Sequence, residues 1–206
     1  MRIGGLTKQS FIDWEGRITA VIFTKGCNFR CGYCHNPELV YPKLIQQSED
    51  IPEKDIFDYL SSRKTWLDGV VITGGEPTLQ NDLKDFIVKI RNMGYAIKLD
   101  TNGSLPIILE DLVKCNLIDY VAMDIKTILE LNEYKKICGI KDPQLLMKIE
   151  KSIGILKESV IDYQLRTTII PQFHTKEMID KLQREFSYCN YQLQEYRETK
   201  IASPQS

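Results

Sequence analysis

Ile18-Thr19-Ala20-Val21-Ile22-Phe23 leads into Gly26-Cys27-Asn28-Phe29-Arg30-Cys31-Gly32-Tyr33-Cys34-His35-Asn36. The first run is short, apolar and β-branched, which reads as a buried strand. The second carries three cysteines spaced C-x-x-x-C-x-x-C. Thiolates are soft ligands for iron and zinc, and close spacing lets one loop wrap one metal centre. Three thiols are one too few for a closed four-cysteine cluster. On a 4Fe–4S cubane they would leave one iron open to bind something else. The rival is a zinc site made of Cys27, Cys31, Cys34 and His35. It suits the pattern less well, because zinc ligands usually come as two separated pairs. A disulfide fits poorly, since three clustered thiols leave one over.

Working outward, strand-like runs and helical stretches alternate. Gly69–Thr73 is a continuous apolar run ending in Gly74-Gly75-Glu76-Pro77. Tyr95–Leu99 ends in Asp100-Thr101-Asn102-Gly103, and Ile118–Met123 ends in Asp124-Ile125-Lys126. Asp162–Ile170 contains Arg166, and Tyr191–Tyr196 reads as the last strand. Helices are expected from Pro52 to Arg63, along the face Leu79, Leu83, Phe86, Ile87, Ile90 and Met93, and from Leu105 to Asn116. Others are expected over 130–138, 143–158 and Thr175–Tyr188. Residues 37–50 read as polar and irregular, 1–17 as a lead-in with a turn over Ser10–Arg17, and 198–206 as a frayed polar tail. About six strand-then-helix units imply a parallel sheet with right-handed crossovers. A closed eightfold barrel needs about 250 residues. The 206 residues here therefore predict α/β architecture in one domain, an open partial (β/α)6 TIM-like barrel. A doubly wound open sheet is the alternative.

The unusual residues fall at the same place in each unit, just after a strand. In barrels the carboxyl ends of the strands converge on one face and carry the chemistry. The cysteines, Gly74-Gly75-Glu76, Asp100-Thr101-Asn102 and Asp124 with Lys126 are thus predicted to share one pocket. Paired glycines permit close backbone approach to a ligand, and Glu76 suits an ammonium group. A valine at Gly75 is accordingly expected to block the ligand yet spare the metal centre. Asp124 and Lys126 alternate along a strand end, so both can face the mouth. An exposed ion pair, and for Asp100-Thr101 a plain turn, are the ordinary alternatives.

These motifs together resemble the radical S-adenosylmethionine (radical SAM) superfamily. Tyr33 is the aromatic residue placed before the third cysteine, and His35-Asn36 after Cys34 resembles the activating enzymes of glycyl-radical proteins. Cys34-His35-Asn36-Pro37-Glu38-Leu39 and Thr73–Gln80 are most similar to the anaerobic ribonucleoside-triphosphate reductase activating type. The resemblance covers nearly the whole chain. It implies one 4Fe–4S cluster on Cys27, Cys31 and Cys34, whose open iron chelates the methionine end of SAM. An electron then breaks the S–C5′ bond, and the 5′-deoxyadenosyl radical removes a hydrogen from a glycine Cα of a partner enzyme. It also implies SAM contacts from Tyr33, His35, Asn36, Gly74, Gly75, Glu76, Asn102, Asp124 and Lys126, the lysine acting at the cofactor. Asp100 and Thr101 would join Asp124 around a monovalent cation, and Arg166 would contact SAM or substrate. The implied partners are a glycyl-radical enzyme and a low-potential donor such as flavodoxin or ferredoxin. Two departures stand out. Glu15 replaces the proline usual in the lead-in turn, which puts that turn in doubt. His174 lies too near Pro171 to inherit the family's histidine role, and is expected at the surface or as a cap.

Composition narrows the alternatives. Twenty-seven basic against 28 acidic residues give a net charge of −1, which gives no support to a nucleic-acid or membrane-surface function. No apolar run is long enough to span a bilayer, and no secretory core opens the chain. A cytoplasmic setting with reduced thiols is expected. Cys115, Cys138 and Cys189 are scattered and read as small buried core residues. The rival functions are a radical SAM enzyme acting on a small molecule, for example in deazapurine synthesis, and a non-enzymatic metal-binding or electron-transfer module.

Overall fold

The computed structural model describes residues 1–140 and 142–196, so the polar tail expected at 198–206 lies outside the described residues. The elements in order are β1 (Ile3–Ser10), β2 (Thr19–Thr24), α1 (Pro42–Ile45), α2 (Glu53–Ser62), β3 (Gly69–Gly74), α3 (Leu83–Asn92), β4 (Ala96–Thr101), α4 (Pro106–Lys114), β5 (Tyr120–Asp124), α5 (Leu131–Cys138), α6 (Leu145–Glu158), β6 (Asp162–Ile169), α7 (Lys176–Glu185) and β7 (Tyr191–Glu195). The seven strands form one sheet in the order β1 to β7. β1 is antiparallel to β2, and every later pair is parallel. A doubly wound sheet reverses its strand order at a switch point. This order never reverses, so the sheet curls one way into a partial α/β barrel.

Period-two alternation sorts each strand into two faces. Ala20 and Ile22, Val70 and Ile72, Ile97 and Leu99, Val121 and Met123, and Leu165 are at 0 % exposure and pack against the helices. Each of these side chains larger than alanine contributes about 1.5–3 kcal/mol on burial. Val21 and Val71 point to the inside of the barrel, where Trp14 covers them. Trp14 also lies 5.9 Å from the Tyr120 ring, so the lead-in turn plugs the amino end of the barrel. That turn forms without proline. The Arg17 amide donates to the Trp14 carbonyl at 3.1 Å, and Gly16 supplies φ +74° at the third position.

Three local expectations are corrected. Residues 37–50 are partly regular, with a 3-10 turn over Pro37–Leu39 and then α1. The helix expected from Leu79 starts at Leu83, and Leu79 ends a 3-10 turn (Pro77–Leu79) with its side chain partly exposed. The Glu76 side chain accepts from the Thr78 amide, closing that tight turn before a helix can begin. Among the scattered cysteines, Cys138 is buried, Cys189 is half-buried and Cys115 is exposed beside Lys84 and Asp111.

Candidate active site

A cavity of about 580 Å³ opens at the carboxyl ends of the strands, within the size range of small-molecule sites. Its wall includes Cys27, Cys31 and Cys34, then Tyr33, His35 and Asn36 from the same loop. Gly74, Gly75 and Glu76 follow from the end of β3, and Asp100, Thr101 and Asn102 from β4. Asp124, Lys126 and Arg166 follow from the ends of β5 and β6, and Gln192 to Glu195 of β7 form the last wall. The topology thus brings together every residue singled out from the sequence.

The cysteine loop is anchored at both ends. The Gly26 amide donates to Leu39 at 2.7 Å, and the Arg30 amide donates to the Cys138 carbonyl at 2.8 Å, at the end of α5. Phe29, 2 % exposed, pins the middle into the core. Burial pushes the Cys27 thiol up to about 12, against a hydrogen bond from the Phe29 amide. Burial likewise pushes Cys34 up. Cys31 is pulled down to about 7 by the neighbouring Cys138 thiol, which outweighs burial. The Cys31 sulfur beside it, with burial, pushes the Cys138 thiol up. The Cys138 carbonyl, which accepts from the Arg30 amide, ties the end of α5 to the cysteine loop.

The glycine pair has a different reason from the one expected. A Cβ on Gly75 would sit 2.0 Å from the Gly26 carbonyl oxygen, and one on Gly74 would sit 2.4 Å from the Thr24 amide nitrogen. Gly74 also adopts φ +113°. The close approach is between the ends of β2 and β3, where the Gly75 amide donates to Thr24 and the Glu76 amide to Gly26. Gly75→Val should therefore displace the cysteine loop itself, contrary to the expectation that it spares the metal centre. Iron content after anaerobic reconstitution should fall to less than about half of wild type, since a 2.0 Å contact against backbone has nowhere to relax. Full iron content with lost SAM binding would restore the ligand-approach explanation.

Glu76 is 1 % exposed, and its carboxylate is met from within the chain. It accepts from the Thr78 amide and hydroxyl, the Thr101 hydroxyl at 2.8 Å and the Asn102 amide at 2.7 Å. Burial raises its pKa, against those four donors. Glu76 thus ties the β3 and β4 loops together, and an ammonium ligand would find its oxygens already engaged. Asn102 extends the tie by donating to Asn28 of the cysteine loop at 2.9 Å, and Asn28 donates to Ser104.

Inside the barrel, charges alternate in a row. Lys98 lies 3.7 Å from Asp100, and Asp100 lies 3.2 Å from Arg166. Arg166 bridges to Asp124 at 2.5 Å, and Asp124 pairs with Lys126 at 2.7 Å. Burial opposes ionisation of Asp124, but Arg166 and Lys126 together hold its carboxyl well below the usual carboxylate range. Despite burial, Asp124 holds the Lys126 ammonium well above its usual value. The cation expected among Asp100, Thr101 and Asp124 does not suit this arrangement. Arg166 already bridges the two carboxylates, and the Thr101 hydroxyl turns to Glu76.

Lys126 is also gripped by its backbone. Its amide donates to the Tyr134 hydroxyl, and its carbonyl lies 3.0 Å from His174 Nε2. His174 is 5 % exposed, not at the surface as expected. Its Nδ1 accepts from the Ile170 amide at 3.0 Å, so the neutral ring with Nε2–H donating satisfies both contacts. Burial accordingly lowers its pKa. The roles of His174 and Asn28 were not legible in the sequence because their partners, Lys126 and Asn102, lie 48 and 74 residues away. His35 is stacked on Tyr196, with ring centroids 5.4 Å apart, and Tyr196 meets Tyr33 edge-on.

The residues present fit the cluster and cofactor implied by the cysteine pattern. Three buried or half-buried thiols line one cavity. The Tyr33 hydroxyl is buried there without a hydrogen-bond partner among the described residues, as a group awaiting a ligand is. Comparison with known proteins agrees. Residues 21–186 match the Radical SAM superfamily. A candidate glycyl-radical enzyme activating enzyme of Methanocaldococcus jannaschii is 33 % identical over 201 residues, covering 94 % of this chain and 79 % of that one. The pyruvate formate-lyase-activating enzyme of Clostridium pasteurianum is 30 % identical, covering 88 % and 74 %. The crystal structure of Streptococcus suis SuiB aligns with a TM-score of 0.63 at 20 % identity. It matches 87 % of this chain, which spans only 40 % of the SuiB chain, and that likeness concerns the fold alone.

Proposed function

The chain belongs to the radical SAM superfamily, and from that membership we propose that it is the activase of a glycyl-radical enzyme. The observation that carries the reading is the placement of three thiols in a cavity at the mouth of a sheet whose end strands, β1 and β7, do not pair among the described residues. That open side is the route by which a protein segment would reach the site. When bound, the reduced cluster supplies the electron that cleaves SAM to methionine and a 5′-deoxyadenosyl radical.

Cys27, Cys31 and Cys34 would hold the cluster. With the Gly75 and Glu76 amides taken by Thr24 and Gly26, the glycine motif offers carbonyl oxygens to an ammonium group. Lys126, fixed by Asp124 and by its own backbone contacts, presents a positive charge suited to a carboxylate. Tyr33, beside the thiols, offers an aromatic face and a free hydroxyl. The partner we favour is an anaerobic ribonucleotide reductase, on the resemblance of residues 34–39 and 73–80, with flavodoxin or ferredoxin as donor. The 206 residues would work as one domain in a reducing compartment. Among the described residues no helix is long and apolar enough to cross a membrane.

The test is electron paramagnetic resonance of the reduced protein with SAM, with and without a co-encoded glycyl-radical enzyme. The expected result is a protein-radical doublet that collapses when the partner's glycine is changed to alanine. Rapid turnover of a small metabolite, with no protein radical on any candidate, would replace the activase reading with the small-molecule one.

A further inference from the structure

A glycine substrate has no side chain to recognise, so selection must act on the backbone around it. We propose that Gln192 and Gln194, on the inner face of β7, read the backbone of an extended polypeptide segment that enters through the open side of the barrel. The inference deepens the activase reading and rests on it.

Placement is the first argument. Gln192 is in register with Arg166 and Gln194 with Thr168, and all four line the cavity. Tyr191, just before them, is in register with buried Leu165 and its hydroxyl donates to Thr167, while Leu193, between them, also borders the cavity. β7 pairs only with β6 among the described residues, so this wall flanks the side where the sheet stays open. Availability is the second argument. Asp124, Lys126, Arg166, Glu76 and Asn102 are engaged by neighbours within the chain. Neither glutamine side chain has a hydrogen-bond partner among the described residues.

Chemistry and spacing complete the case. A primary amide carries one carbonyl acceptor and two N–H donors, the complement of a peptide group. Residues two apart on a strand are about 6.6–6.8 Å apart, and an extended chain repeats its backbone groups on one side at that interval. Two amides in step therefore match two successive peptide repeats whatever side chains the segment bears. Being uncharged, they select no charged side chain. An adenine edge is the competing occupant, because glutamine also pairs with adenine.

The probe is the blocked pentapeptide acetyl-Ala-Ala-Gly-Ala-Ala-amide, titrated calorimetrically into the anaerobic, cluster-loaded protein with SAM. The double variant Gln192→Leu with Gln194→Leu should bind it at least about 30-fold more weakly. Gln192→Glu with Gln194→Glu keeps the shape but loses the donors, and should fall between. Cluster absorbance and thermal midpoint report folding separately. N-methylation of the peptide at glycine should cost the wild type much of its affinity and cost the leucine double variant nothing further. Peptide affinity unchanged in the leucine variant, no binding by the wild type, or a loss confined to SAM would each overturn the inference. A wild type that radicalises its partner while the leucine variant does so with the same affinity removes this inference and leaves the activase reading intact. Glutamine-dependent peptide binding with no protein radical on any partner does the reverse.

Discussion

Changing Cys27, Cys31 or Cys34 to alanine, one at a time, is expected to abolish the brown thiolate-to-iron absorbance of anaerobically reconstituted protein. Reductive SAM cleavage should fall at least about a thousandfold, equivalent to about 4 kcal/mol in the barrier. These three thiols line the cavity together, and no other cysteine lines it. Cys115 is exposed beside Lys84, and Cys189 donates to the Phe186 carbonyl, so Cys115→Ala and Cys189→Ala should keep the absorbance. Cys138 is not a clean control, because it is fully buried in the same core cluster as Cys31. Stoichiometric zinc, with no iron–sulfur absorbance in the wild type, would remove the basis for this expectation.

Arg166→Ala is expected to cause the largest loss of stability among cavity substitutions that leave the thiols intact. It strands two carboxylates, Asp100 and Asp124, that Arg166 now bridges. Removing one partner of a buried ion pair costs about 3–5 kcal/mol. About 3 kcal/mol is the appropriate end, because the Asp124 side chain keeps 28 % exposure and Lys126 remains as its second partner. The pH dependence follows from the same geometry. The Asp124 carboxyl is depressed in the folded protein, against the opposing effect of burial. Its stabilisation is therefore complete above the ordinary carboxylate value of about 3.9 and is lost only as pH falls through the lower folded value. In Arg166→Ala the depression shrinks, so acid unfolding followed by circular dichroism should begin at higher pH than in wild type. Equal midpoints in denaturant for the two proteins would show that the bridge contributes nothing.

Much of the architecture was readable in advance because parallel strands buried on both faces give unbroken β-branched runs. Gly69–Thr73 is of that kind, and β3 coincides with it to within one residue. The antiparallel β1 was less legible. Only its end residues, Ile3 and Ser10, are buried and it includes two glycines, so it reads as a lead-in until β2 is present to pair with it. Helix starts were displaced where a side chain intervened, as Glu76 does for α3. Candidate site residues were legible because each sits directly after a strand, where barrel geometry gathers them.

The sequence by itself determined which chemistry could be built here. Cysteine spacing is a local property, and so are the glycine pair after β3 and the polar ends of β4 and β5. Alternation of element types then required the sheet to collect them at one end. What the tertiary structure decided is how those groups are used. Gly75 is small because Gly26 passes 2.0 Å from where its Cβ would be, a contact across 49 residues of chain. Glu76 is satisfied by Thr101 and Asn102, and Asp100 and Asp124 share Arg166. His174 and Tyr134 grip Lys126, and the two β7 glutamines are left free to face a ligand. A hydrogen bond or ion pair depends on distances of about 3 Å between groups that the chain keeps far apart until it folds. No reading of spacing along the chain contains such distances.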